Sequence, residues 1–244
     1  MRISITAASH RGLARDRNED HYGASGIMMA SEDGKALSVT ITDGFCLAVV
    51  ADGLGGHPCG DRASRLAVEH LLSSKPADAA ALAQAVREAN EVIVLAMSAE
   101  DGSLRMGSTL AAVIVSECEL VVVNVGDSPV FEFEEGRMQQ LTIDDVPPRN
   151  TTLPGLPSST VTQTLGGSRV LVPVDPHVFL DDRIIPRRIL LCTDGLTNFV
   201  PRELIVDSLQ KATGEDVVES LINRALEAGA PDNVTVLIVD VETY

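Results

Sequence analysis

The chain has 244 residues, with 19 Lys and Arg against 35 Asp and Glu, for a formal net charge of −16. That balance excludes a basic nucleic-acid-binding face and disfavours docking on anionic lipid. Hydrophobic residues make up 45% and aromatics 3%, with no Trp, so a core of Ala, Val, Leu and Ile is expected rather than a disordered acidic tail.

In chain order, residues 2–8 alternate as a short strand. The stretch MRISITAASHRGLARDRNED has no apolar h-region, so it does not read as a signal peptide. Residues 37–51 read as a hairpin about Asp43-Gly44. Residues 61–73 and 77–100 read as helices; Leu82, Val86, Ala89, Ile93 and Met97 make one apolar face of the second, and Pro76 is tolerated at its start. A strand meander is expected over 108–141, with turns at 116–119 and 126–128. Residues 143–168 are rich in Pro, Thr, Ser and Gly and read as a surface loop. Strands near 169–180 and 187–193, helices over 201–211 and 214–228, and a last strand NVTVLIVDV complete the chain. Strands cluster and helices come in adjacent pairs, which favours an α+β layered fold with largely antiparallel sheets over βαβ alternation.

No run approaches the roughly 18 apolar residues of a membrane span. Cys46, Cys59, Cys118 and Cys192 lack metal or redox spacing, so they read as reduced thiols of a cytoplasmic protein.

Asp-Gly occurs five times. At 33–34, 43–44 and 101–102 it reads as a turn. Asp52 and Asp194 differ, because each ends an apolar strand and is followed by Gly-Leu. A carboxylate at the end of a buried strand is costly unless paired or bound to a cation, and the following Gly lets the backbone turn sharply. Asp127 follows LVVVNVG, Asp232 precedes NVTVLIV, and Glu19 and Asp20 follow the first strand and its loop. Carboxylates and carbonyls without His or Cys spacing suit hard cations such as Mg2+ or Mn2+.

Six segments in order then carry a resemblance: GLARDRNED (12–20), DGLGGHPCGDRAS (52–64), GSTL (107–110), NVGDS (124–128), LCTDGL (191–196) and DNVTV (232–236). Together they resemble the PPM-type (type 2C) metal-dependent Ser/Thr protein phosphatases in their bacterial form. The resemblance implies a four-layer αββα sandwich: two antiparallel sheets with the metal site between them and flanking helix pairs. It also implies hydrolysis of phosphoserine and phosphothreonine by a metal-bridged hydroxide. Asp52 would bridge two Mn2+ or Mg2+ ions, joined by the Gly53 carbonyl. Asp194 and Asp232 would complete the first ion, Glu19 would sit at the second with Asp20 beside it, and Asp127 would help hold a third, weaker ion. Arg15 would clamp the substrate phosphate, and His57 is the candidate general acid for the leaving oxygen.

Implied partners are phosphorylated Ser/Thr proteins and a cognate Ser/Thr kinase, with a monomer as the family default. The competing reading is a catalytically silent domain that binds a phosphoprotein or kinase; silent members would be expected to lose metal aspartates, and Asp52, Asp194 and Asp232 are present. Nucleotide binding through GLGGHPCG fails on spacing, because Pro58 stands where a third Gly is needed.

Three departures from the family pattern stand out. Pro129 replaces an Arg after Gly-Asp-Ser, and Asn198 stands where an Asp often follows. The stretch 143–163 contains four prolines, so it cannot hold a long helix. A single domain over 1–244 with a shortened flap at 143–163 is therefore expected.

Overall fold

In the computed structural model, residues 1–25, 27–29, 34–54, 59–99, 105–147 and 160–242 are described. Six strands come first: β1 (Arg2–His10), β2 (His21–Ala24), β3 (Ile27–Met29), β4 (Leu37–Ile41), β5 (Cys46–Ala51) and β6 (Gly53–Leu54). The helix pair α1 (Cys59–Ser74) and α2 (Ala79–Ser98) follows. Next come β7 (Gly107–Ser108), β8 (Leu110–Val115), β9 (Leu120–Val125), β10 (Val130–Glu134), β11 (Arg137–Gln140), β12 (Leu165–Gly166), β13 (His177–Asp181) and β14 (Arg187–Cys192). The chain closes with α3 (Asp194–Thr197), α4 (Arg202–Leu209), α5 (Gly214–Glu227) and β15 (Val234–Glu242).

Two six-stranded sheets carry the fold, in the orders β11-β10-β14-β15-β1-β4 and β13-β9-β8-β5-β2-β3, with a small third sheet β12-β7-β6. Every pairing among the described residues is antiparallel, so the α+β expectation holds. Residues alternate along the strands between two cores. Ile3, Ile5, Val239 and Ile189 of the first sheet meet Ala48, Val50, Val113 and Val122 of the second. The other face of the second sheet (Val49, Ala112, Val123) packs on α1 and α2. The other face of the first (Ala8, Leu190, Ile238) packs on α3, α4 and α5. Burial on both faces explains why the central strands read as continuous apolar runs. The predicted face of α2 is buried throughout, and Asp78 caps it by accepting from the Ala81 amide at 2.8 Å.

Three expectations need correction. Residues 37–51 are not a hairpin: β4 pairs with β1, whereas β5 pairs with β2 and β8 in the other sheet. Asp43-Gly44 therefore carries the chain across the sandwich. Val39 and Ile41 then face Cys46, Ala48 and Val50 across the inter-sheet core instead of lying beside them. The meander over 108–141 is likewise broken, since β8 and β9 pair but β10 crosses to pair with β14. The strand expected over 169–180 is only His177–Asp181, and Val170, Leu171 and Val172 are exposed. Most of the expected flap falls at 148–159, outside the described residues.

The end of the sandwich near β13 holds a buried ion network. Arg187, with a side chain 3% exposed, places Nη1 2.8 Å from Asp181 Oδ2 and 2.9 Å from Glu132 Oε1. Hydrogen bonds from Arg183 and Arg187 hold the Asp181 carboxyl well below the usual carboxylate range. Removing Arg187 leaves Glu132 and Asp181 buried, with only the half-exposed Arg183 as their partner. Arg187→Ala should therefore cost about 3–5 kcal/mol and lower the melting temperature by about 10 °C in a thermal unfolding scan. Among the described residues, no helix is long and apolar enough to cross a membrane.

Candidate active site

Strand register gathers the acids at one end of the sandwich. His21 pairs with Ala51, which sets Asp20 and Asp52 side by side at the end of the second sheet. Cys192 pairs with Val236 and His10 with Val234, which brings Asp194 and Asp232 to the adjoining end of the first. Two hydroxyls join the sheets there: Thr193 Oγ1 and Thr235 Oγ1 donate to Asp20 Oδ2 at 2.9 and 2.7 Å. Asp20 is 1% exposed, and its Oδ1 has no partner among the described residues. Burial, with Asp194 and Asp232 nearby, raises its pKa to about 7 despite the two threonine hydrogen bonds.

Asp52 is the most strained of the acids. Burial, then the charges of Asp20, Asp194, Asp232 and Asp127, push its pKa well above the ordinary carboxylate value. Its backbone is fixed by Thr109, whose Oγ1 accepts from the Asp52 amide at 3.1 Å and whose own amide donates to the Asp52 carbonyl at 2.9 Å. Burial and Asp232 also raise Asp194, but hydrogen bonds from Asp52 and Asn198 oppose the rise. Burial and Asp194 raise Asp127 to about 6.

Glu19 lies against α1, raised by burial and lowered by Arg15. The glycines here are required by contact. A Cβ on Gly53 would fall 2.4 Å from the Gly60 carbonyl oxygen, and one on Gly60 would fall 2.7 Å from Glu19 Oε2. Arg15, with a half-exposed side chain, donates from Nη2 to Asp232 Oδ2 at 2.7 Å. Burial works against its charge, but Asp232, Asp52 and Glu19 more than offset it.

The structure thus brings Arg15, Glu19, Asp20, Asp52, Gly53, Asp194 and Asp232 together, with Asp127 within the same field. His57 lies outside the described residues. Asn198 donates to Asp194 Oδ2 at 2.8 Å, which orients that carboxylate. Sequence reasoning missed Thr193 and Thr235, which sit inside the LCTDGL and DNVTV segments but read there as ordinary strand residues. It also missed Asn233, whose Nδ2 donates to the Arg11 and Arg17 carbonyls at 2.8 Å each and closes the Arg15 loop.

The donor set fits hard cations. It is all oxygen, it holds a buried carboxylate oxygen without a partner, and one Arg opposes several like charges. Among the described residues, no three acid, His or Cys side chains already converge as a closed cage.

The sequence profile of the family "Protein phosphatase 2C" matches residues 29–234. Serine/threonine protein phosphatase PstP of Mycobacterium tuberculosis H37Rv is 32% identical over 267 residues, spanning 99% of this chain and 46% of that protein. The chain therefore spans about half the length of this relative. Serine/threonine phosphatase stp of Listeria monocytogenes EGD-e is 32% identical over 248 residues, spanning 94% of this chain and 92% of that one. The crystal structure of the PstP catalytic domain in complex with two manganese ions superposes with a TM-score of 0.78 at 29% identity, covering 100% of both chains.

Proposed function

The chain belongs to the protein phosphatase 2C family, and from that premise we propose that it hydrolyses phosphoserine and phosphothreonine in proteins, using Mn2+ or Mg2+. The observation that carries this reading is the strand-end cluster of Asp20, Asp52, Asp194 and Asp232, buried and raised in pKa, with Arg15 at its rim. Asp52, Asp194, Asp232 and the Gly53 carbonyl would hold the ions, with Glu19 and Asp20 beside the second and Asp127 at a third. When bound, such ions stabilise charge on the phosphoryl oxygens and supply a water of lowered pKa.

The chain's own residues do the rest. Arg15 exchanges its contact with Asp232 for the phosphoryl group, and its planar fork suits two oxygens at once. Thr193 and Thr235 keep Asp20 facing the cluster. His57 is the proposed donor of the proton to the seryl or threonyl oxygen. A Ser/Thr kinase as opposing partner, a monomeric state, a cytoplasmic location and one domain over 1–244 with a shortened flap belong to the same proposal. The adjacency of β1 and β15, from the two ends of the sequence, supports the single domain.

The test is phosphate release from a phosphothreonine peptide with Mn2+ and with chelator; a silent domain binds the peptide without turnover. Arg15→Ala should raise both KM and the inhibition constant for inorganic phosphate by about 10–100-fold, the scale of a lost charged hydrogen bond. Mn2+ binding, followed by calorimetry, should stay nearly intact. Loss of Mn2+ from this variant would show that Arg15 supports the metal site instead.

A further inference from the structure

The turn that bears Asp127 is held from two sides. On one side Ser128 Oγ lies 2.6 Å from Thr109 Oγ1, and Thr109 is bonded to the Asp52 backbone. On the other side stands Asp145, which lies outside the proposed ligand set. Its Oδ2 accepts from the Gly126 amide at 2.9 Å and from Gln163 Nε2 at 2.9 Å. Its Oδ1 lies 2.9 Å from His177 Nε2 on β13, which must donate because a carboxylate only accepts. Its amide donates to the Gly126 carbonyl at 3.0 Å, and its carbonyl accepts from the Thr162 amide at 2.7 Å. The side chain is 12% exposed. Gly126 has φ +95°, and a Cβ there would fall 2.7 Å from Thr109 Cγ2, so the turn is tight and its geometry depends on both anchors.

We propose that Asp145, oriented by His177 and Gln163, is a positioning residue that pins the Gly126–Ser128 turn and so sets where Asp127 meets a cation. The same carboxylate ties this turn to Gln163, beyond the 148–159 segment, and to the edge strand β13. A change at either place thus reaches Asp127 through one side chain. The inference rests on the reading of Asp127 as a cation ligand. The pinning itself does not.

The test uses Asp145→Ala, His177→Leu and His177→Gln in the whole chain. Amide exchange of Gly126 is read by NMR in chelated protein, and Mn2+ is then titrated during peptide hydrolysis. Asp145→Ala should speed Gly126 exchange at least about tenfold. It should also raise the Mn2+ concentration for half-maximal rate about tenfold, as expected when a group orienting a metal ligand is lost. His177→Leu should move both in the same direction, and His177→Gln, which keeps an N–H donor, should restore both. If Asp145→Ala does not fold, the His177 pair decides the matter. Unchanged Gly126 exchange overturns the pinning; faster exchange with an unchanged Mn2+ requirement overturns the link to Asp127. A wild type that needs no Mn2+ overturns the functional reading and that link together, while Gly126 exchange still decides the pinning.

Discussion

Asp52→Asn should lower turnover of a phosphothreonine peptide by about 10³-fold or more while raising the melting temperature of the chelated protein. The two effects have one cause. Asp52 is the acid on which burial and four neighbouring carboxylates act together, so its charge is the hardest to keep without a cation. Asn keeps the shape and removes that charge, and each kcal/mol of repulsion relieved is worth about 2–4 °C in a protein of this size. The same exchange removes the proposed bridging ligand, and losing one preorganised group that stabilises transition-state charge already costs about 10²–10³-fold. Thermal scans and initial rates on the same samples check both halves. A variant that is less stable and still active would remove Asp52 from the centre of the account.

The chelated protein should also lose stability as pH rises from about 6.5 to 8, and Mn2+ should reverse that trend. The folded pKa is about 7 for Asp20 and about 6 for Asp127, both above the ordinary carboxylate value. Such groups bind protons more tightly in the folded state, so their ionisation works against folding. Their penalty is absent below the unfolded pKa and complete above the folded one. Asp181 is shifted the other way, and its stabilisation is lost only in stronger acid; burial lowers His21, whose opposing gain is complete above its ordinary value of 6.5, so the acids dominate above that pH. Cations compete with protons for the same oxygens, so apparent Mn2+ affinity should weaken below about pH 7. Mn2+ at 100 times its dissociation constant adds about 2.7 kcal/mol, or roughly 5–10 °C. A chelated protein that gains stability from pH 6.5 to 8 would contradict the shifts assigned to these acids.

Glu19 and Asp20 sit in a polar stretch and are assigned only through the motif resemblance, whereas the other acids adjoin an apolar run where a solvated carboxylate has no reason to be. Asp52 after CLAVVA and Asp194 after RILLCT are the clearest cases, and Gly53 and Gly60 prove to be demanded by contacts under 3 Å. Strand partners were less legible. Alternation states which residues share a face but not which sheet takes the strand, so β4 and β5 read as a hairpin about Asp43-Gly44 although they belong to different sheets. Thr193 and Thr235 were hidden for a related reason. A β-branched hydroxyl residue suits any strand, and only register reveals that both reach Asp20. Arg187 was hidden as well, since burial of a guanidinium depends on Asp181 and Glu132 arriving from β13 and β10. Asp145 carried no motif signal of its own; its partners Gly126, Thr162, Gln163 and His177 are far apart in sequence and meet only in the fold.

The most direct measurement is the rate of phosphate release from a phosphothreonine peptide as Mn2+ is titrated into chelator-stripped protein, with Asp52→Asn run beside it. The account predicts no turnover without Mn2+, a saturable rise with it, and a flat response in the variant over the same range. A rate independent of Mn2+, or a variant that rises as the wild type does, would contradict it.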